Sequence, residues 1–168
     1  ILMTESGLHI PCHEESNIPL FKEVYAEIGD EQSIENNLST FSSHMLNTAN
    51  IIANADNESL VLLDEVGSGT DPTEGAALGV AMLEALKEKG AHIVATTHYT
   101  ELKKYAISTE GVENASMEFD MDALAPTYKI KVGLPGKSNA FEISRKLGLD
   151  SSIIDRAISL MNGSDLEF

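Results

Sequence analysis

The chain has 168 residues, enough for one domain with a real core, and its 42% hydrophobic and 23% charged content is ordinary for a globular protein. No apolar run approaches the ~20 residues of a membrane-crossing helix, no signal peptide is visible, and the single cysteine, Cys12, rules out an internal disulfide; a reducing cytoplasm is the simplest expected location. A net charge of −16, from 27 acidic and 11 basic side chains, argues against this segment wrapping nucleic acid by itself, because phosphate binding runs on Lys and Arg.

The first residue is Ile1, not Met. Ile1-Leu2-Met3 followed by Gly7 reads as the last turn of a helix with a glycine C-cap, and a helix end without its start is expected of a fragment. Residues 20–29 alternate roughly as a strand. Residues 39–55 place Phe41, Met45, Thr48, Ile52 and Ala55 on one face at helical spacing. Residues 59–65 are an apolar run ending in two acids, as in a buried parallel strand. The next helix has Asp71 as cap, Pro72 at its first position and Glu74 to complete a capping box. Ala76, Val80, Leu83 and Leu86 supply its buried face, and Gly90 ends it after Lys87 and Lys89.

A second buried strand follows at 92–98, then a short helix near 100–106 and strands at 112–120 and 127–133. Two helices, about 138–147 and 151–161, close the pattern around Gly148. The alternation predicts an α/β fold, a sheet with helices on its faces.

The sharpest chemical signal is LVLLDE, 60–65. Four apolar residues bury the strand, which then delivers two carboxylates at its C-terminal end, where open α/β sheets bind ligands. Asp64 suits Mg²⁺ held through its water shell, and Glu65 suits a water that attacks a γ-phosphate. His98 ends the following strand, one helix later, and a parallel crossover would set the two strand ends side by side. Alone it would be read as a strand-end cap; with Asp64 and Glu65 it reads as a phosphate sensor. Ser39-Thr40 opens the helix before this strand and offers a hydroxyl and free N–H groups to an anion, although a plain N-cap has the same sequence. The loop Gly67-Ser68-Gly69-Thr70-Asp71 allows tight turns against a partner surface.

Three other patterns carry less. Gly133 to Ser138 ends in GKS, but a phosphate loop of the form G-x-x-x-x-G-K-[ST] needs glycine where Lys131 stands. His9, Cys12 and His13 fall short of zinc spacing. The closing helix pair resembles a helix-turn-helix, yet with only Arg145, Lys146 and Arg156 it suits an oligomer contact better than DNA reading.

Taken in order, STFSSHM (39–45), LVLLDEVGSGTDPTEGAALG (60–79) and ATTHYTELKKYA (95–106) resemble the ATPase domain of MutS proteins. DPTEGAALG, TTHYTELK and residues 126–149 resemble the second bacterial branch, MutS-two, which bears a C-terminal Smr nuclease domain. The mismatch-recognising branch usually reads STF-x-x-EM, and His44 stands in the place of that glutamate. The resemblance covers roughly residues 5 to 162.

It implies an ABC-type P-loop NTPase fold, here partial: a mixed, mostly parallel sheet flanked by helices, spanning 1–135. A helix pair for dimer contact would follow at 136–162, and a tail at 163–168. It also implies a homodimer that sandwiches ATP with Mg²⁺. Asp64 would serve the metal, Glu65 the attacking water and His98 the switch, and Ser39 would contact the partner's nucleotide. Thr40, Gly67, Gly69 and Thr70 complete the expected nucleotide-binding set. Complete relatives bind branched DNA, restrain recombination and in some cases act on stalled ribosomes. The Walker A loop would lie just before Ile1, so the 168 residues alone are expected to bind ATP weakly and not to hydrolyse it. A dimerisation module without catalysis is the alternative. The SMC-like and Rad-like ATPases are disfavoured, since glycines follow their signature serine.

Overall fold

The structure is a computed structural model that describes residues 1–28 and 37–162. The expected tail, 163–168, and Gly29 of the first expected strand lie outside the described residues. Packing divides the chain into two units, Ile1–Tyr105 and Ala106 onward.

In the first unit three strands, β1 (Glu23–Glu27), β2 (Ser59–Leu63) and β3 (His92–Ala95), form a parallel sheet in the order β1-β2-β3. Before them comes a single exposed turn, α1 (Leu2–Glu5), closed at Gly7 as expected, with the Gly7 N–H on Thr4 O at 2.9 Å. Helix α2 (Asn37–Asn54) joins β1 to β2, and α3 (Pro72–Glu88) joins β2 to β3. Each parallel step needs a long crossover, and the helices supply it. β2 is central and nearly all apolar because both its edges are paired and Ser59, Leu60, Val61 and Leu63 are buried. Val61 and Leu63 join Ile51 and Ala55 of α2 and Ala76 and Leu86 of α3 in one core.

A local turn starts β2. The Asp56 carboxylate accepts the Ser59 hydroxyl at 2.8 Å and the Glu58 N–H at 3.0 Å. Those bonds, the hydroxyl's first, hold the Asp56 carboxyl below its ordinary value. The Asp71 carboxylate caps α3, accepting the N–H groups of Thr73 at 2.9 Å and Glu74 at 3.1 Å, with Pro72 at the first position. At the far end Gly90 N–H bonds Lys87 O at 2.9 Å, and the Lys89 ammonium reaches Ala53 O at 3.3 Å and Ala55 O at 3.4 Å, a cation on the carbonyl end of α2.

The strands stop short of the expected 59–65 and 92–98. Asp64 N–H still bonds Glu27 O (2.9 Å) and Thr96 N–H bonds Leu63 O (2.9 Å), but Val66 N–H then turns back to Thr96 O (3.0 Å). The ladder dissolves where the carboxylates leave it.

α4 (Thr100–Ser108) runs across the division, burying Leu102 in the first unit's core. In the second unit β4 (Ala115–Asp120) and β5 (Ala125–Val132) form an antiparallel ribbon with an irregular register between Met117 and Phe119. The helix pair is α5 (Ala140–Lys146) and α6 (Ser151–Asn162); Ile154 is its buried anchor, and Asp150 caps α6 through the Ser152 N–H at 2.8 Å.

The expected α/β class and mostly parallel strands flanked by helices are present; the antiparallel pair, β4 and β5, bond each other, and neither pairs with β1 to β3 among the described residues. In the second unit, which starts at Ala106, the ribbon groups with the helix pair. Among the described residues no helix is long and apolar enough to cross a membrane.

Candidate active site

Asp64 and Glu65 are the first two residues past β2, and both are exposed. The neighbouring strand fixes them. The Thr96 hydroxyl donates to Asp64 Oδ1 and accepts the Glu65 N–H at 2.8 Å. One side chain thus orients the first carboxylate and the backbone of the second. Glu65 has φ +47°, the left-handed region that non-glycine residues enter at a cost. A strained backbone held by a neighbouring hydroxyl is what a preorganised site looks like.

The loop after Glu65 is pinned from two sides. Gly67 has φ +82°, and a Cβ there would fall 2.1 Å from Gly75 O in the first turn of α3. A Cβ on Gly75 would meet Gly67 O at 2.2 Å and the Tyr99 hydroxyl at 3.0 Å. Tyr99 is buried and donates that hydroxyl to Gly67 O at 3.2 Å. Further on, a Cβ on Gly69 would lie 3.6 Å from the Phe41 ring, which brings the loop to the start of α2. Thr70 is half-buried at the end of this loop, directly before the Asp71 cap.

Asp64, Glu65 and Gly67 line one small cleft with Glu27, His44 and Ser68. Its volume of about 20 Å³ has room for about one water. His98, Gly69 and Thr70 are not among its walls. His98 is exposed two residues beyond Thr96, with its ring tilted against that of Tyr99 at 4.5 Å between centroids. The contacts that join the end of β2 to the segment after β3 are made by Thr96 and Tyr99, the residues on either side of the Thr97-His98 pair. Ser39 and Thr40 fall in the first turn of α2; their side chains lie outside the described residues.

The decoys are elsewhere occupied. Gly133 N–H bonds Asn114 O at 2.7 Å, and Gly136 sits over Ser116, so the segment before GKS folds back on β4. Among the described residues no group of three or more His, Cys, Asp or Glu is placed to hold a metal.

Thr96, Glu27, Asn47 and Tyr99 are not in the sequence-derived set. One signal for Glu27 was present. The alternation of β1 puts it on the same face as Tyr25, and an acid on a core-facing position demands partners.

The family model for MutS domain V matches residues 1–164. Similar curated proteins include the Endonuclease MutS2 of Alkaliphilus oremlandii, 60% identical over 167 residues, and that of Clostridium acetobutylicum, 62% identical over 167 residues. In both, the match takes in 99% of this chain and 21% of the relative. The Endonuclease MutS2 of Halalkalibacterium halodurans is 61% identical over 93% of this chain and 20% of its own length. The chain therefore spans about a fifth of the length of the curated relatives it matches.

Proposed function

The chain belongs to the MutS domain V family, and on that premise we propose that it carries the hydrolytic half of an ABC-type ATP site in a longer protein that acts on DNA as a homodimer. The observation that carries this reading is the Thr96 hydroxyl, which locks Asp64 and the Glu65 backbone into one constellation at the end of a buried parallel strand.

The donor set fits Mg²⁺. That ion keeps several waters and needs one or two carboxylates plus substrate phosphates, not a protein cage. Asp64 offers a carboxylate whose Oδ1 is already oriented by Thr96. When bound, the ion would neutralise charge on the β- and γ-phosphates. Glu65 would accept a hydrogen bond from the attacking water, and the cleft beside it has water-sized room. His98 would report on the γ-phosphate. Ser39 and Thr40, with Gly67, Gly69 and Thr70, would face the nucleotide of the partner subunit. The 168 residues contain no G-x-x-x-x-G-K-[ST] motif, so the nest that grips the phosphates must come from other residues of the longer protein.

From the relatives' name, the longer protein would carry nuclease activity in another domain; as a whole it would bind branched DNA or act on stalled ribosomes, in the cytoplasm. In the full-length protein, Glu65→Ala is expected to cut ATP turnover by about 100-fold or more while ATP binding persists. Undiminished turnover would refute the assignment. The 168-residue chain alone is expected to show no micromolar Mg-ATP binding by calorimetry.

A second reading, a dimerisation module, is favoured by the exposed apolar residues of the closing helices, Leu147 at 73%, Leu160 at 56% and Met161 at 65%. The two are compatible if the helix pair dimerises and the sheet hydrolyses.

A further inference from the structure

Helix α2 is attached to the sheet differently along its length. Its C-terminal end is held by apolar packing, with Ile51 and Ala55 in the core and the Lys89 ammonium on its last carbonyls. Its middle, between the turn holding Ser39 and Thr40 and that apolar end, presents His44 and Asn47, three residues apart and so on one face. Both close on Glu27 at the end of β1: His44 Nδ1 meets Oε1, and the Asn47 amide donates to Oε2. Facing a carboxylate, which only accepts, His44 Nδ1 carries the proton.

Glu27 is 8% exposed. A carboxylate that buried is costly unless both oxygens are met, and each is met by a different side chain of the same helix. The main chain of the same residue holds the other partner, because Glu27 O accepts the Asp64 N–H at 2.9 Å. Glu27 thus grips the helix with its side chain and the carboxylate turn with its backbone. Glu27 lines the same cleft as Asp64 and Glu65. Apolar contacts tolerate sliding; paired hydrogen bonds of fixed direction do not.

We propose that Glu27, His44 and Asn47 form a positioning clamp that sets the middle of α2 against the Asp64–Glu65 turn, so that ATP hydrolysis depends on it and ATP binding does not. The proposal rests on the ATPase reading above. The clamp touches the helix and the turn and supplies no group to the phosphate nest, so its loss should fall on kcat. A displacement near 1 Å in a catalytic constellation costs on the order of 100-fold.

The test is made in the full-length protein. Glu27→Gln keeps the volume but removes the charge and turns one acceptor into a donor, which His44 or Asn47 can meet only by changing tautomer or turning its amide over. It is expected to lower kcat about tenfold or more, with KM for Mg-ATP within about twofold. Adding Asn47→Asp restores a donor–acceptor pair with reversed polarity and the same net charge, and should bring kcat to within about threefold of the parent. His44→Gln, whose amide can still donate to Oε1, should keep most of the turnover that His44→Leu loses.

A clamp that is merely structural predicts the opposite pattern, a lower Tm with kcat intact, and that result overturns the proposal. So does a rise in KM at constant kcat, or a double variant that folds like the parent but recovers nothing. If Glu65→Ala abolishes turnover and Glu27→Gln leaves it unchanged, the clamp fails alone. If Glu65→Ala is fully active, the ATPase reading fails and the clamp with it.

Discussion

The central strand of the parallel sheet and the antiparallel ribbon both carry apolar residues, with different fates. In β2 nearly every apolar side chain is buried, Val61 at 0% exposure, because helices α2 and α3 come from the same βαβ run. In the ribbon one face carries Met117, Ile130 and Val132, exposed at 58%, 63% and 63%. Its strands are held by their own ladder and by the Lys131–Glu118 ion pair at 2.6 Å. The difference shows where stability and chemistry reside. The sheet's central strand is covered by its helices and ends in the strained Glu65 beside Asp64, whereas the ribbon leaves an apolar face exposed and has its positive-φ residues, Leu124 and Tyr128, at a turn and in a strand with no such carboxylate pair among the described residues.

Substitutions can break this contrast, and the largest effect is expected in the core. Leu86→Ala removes a side chain of 0% exposure and should cost about 2–5 kcal/mol in urea unfolding of the chain. Next comes Gly67→Ala. The left-handed φ alone costs about 1–3 kcal/mol, and the new methyl would collide with the Gly75 carbonyl, so the loop must leave the helix. Limited proteolysis within 64–71 should speed up. Thr96→Val, nearly isosteric, removes the hydroxyl that orients Asp64 and should lower turnover of the full-length protein by about 10- to 100-fold. A smaller loss would place that orientation elsewhere. In the ribbon, Ile130→Ser should change stability by no more than about 0.5 kcal/mol.

The smallest effect expected is the pH response of the ribbon. The Lys131 ammonium, followed by the Thr127 hydroxyl, holds the Glu118 carboxyl below its ordinary 4.5. The N–H groups of Ala123 and then Asp122 hold Asp120 below its ordinary 3.8. Depressed folded values mean that both contributions are complete above those ordinary values and are lost as pH falls through the lower folded ones. NMR titration should find both carboxyls protonating below the usual carboxylate range, and Lys131→Ala should return Glu118 toward 4.5. An unshifted Glu118 in the parent would remove the ion pair from the account.

What could be read from the sequence was what local chemistry decides. The Asp71 cap, Pro72, the glycine after α3 and the paired acids after four apolar residues all act over a few positions, and the structure repeats them. Strand ends were less legible, because Asp64 and Thr96 keep single ladder bonds while the chain is already turning. The separation of the ribbon was not legible, since alternation marks a strand without naming its neighbour. Glu27 and Thr96 escaped for a related reason. Their partners are 17 and 32 positions away, and one chain offers no local signature for bonds of that span.

The mutual contact of Gly67 and Gly75 has a mechanical consequence. Each would clash with the other's main-chain oxygen, not with a side chain that could be trimmed, so no compensating substitution exists at the partner position. Loop and helix are therefore seated main chain against main chain. A displacement of the residues after Glu65 would press on the first turn of α3, whose seventeen residues lead on to the start of β3.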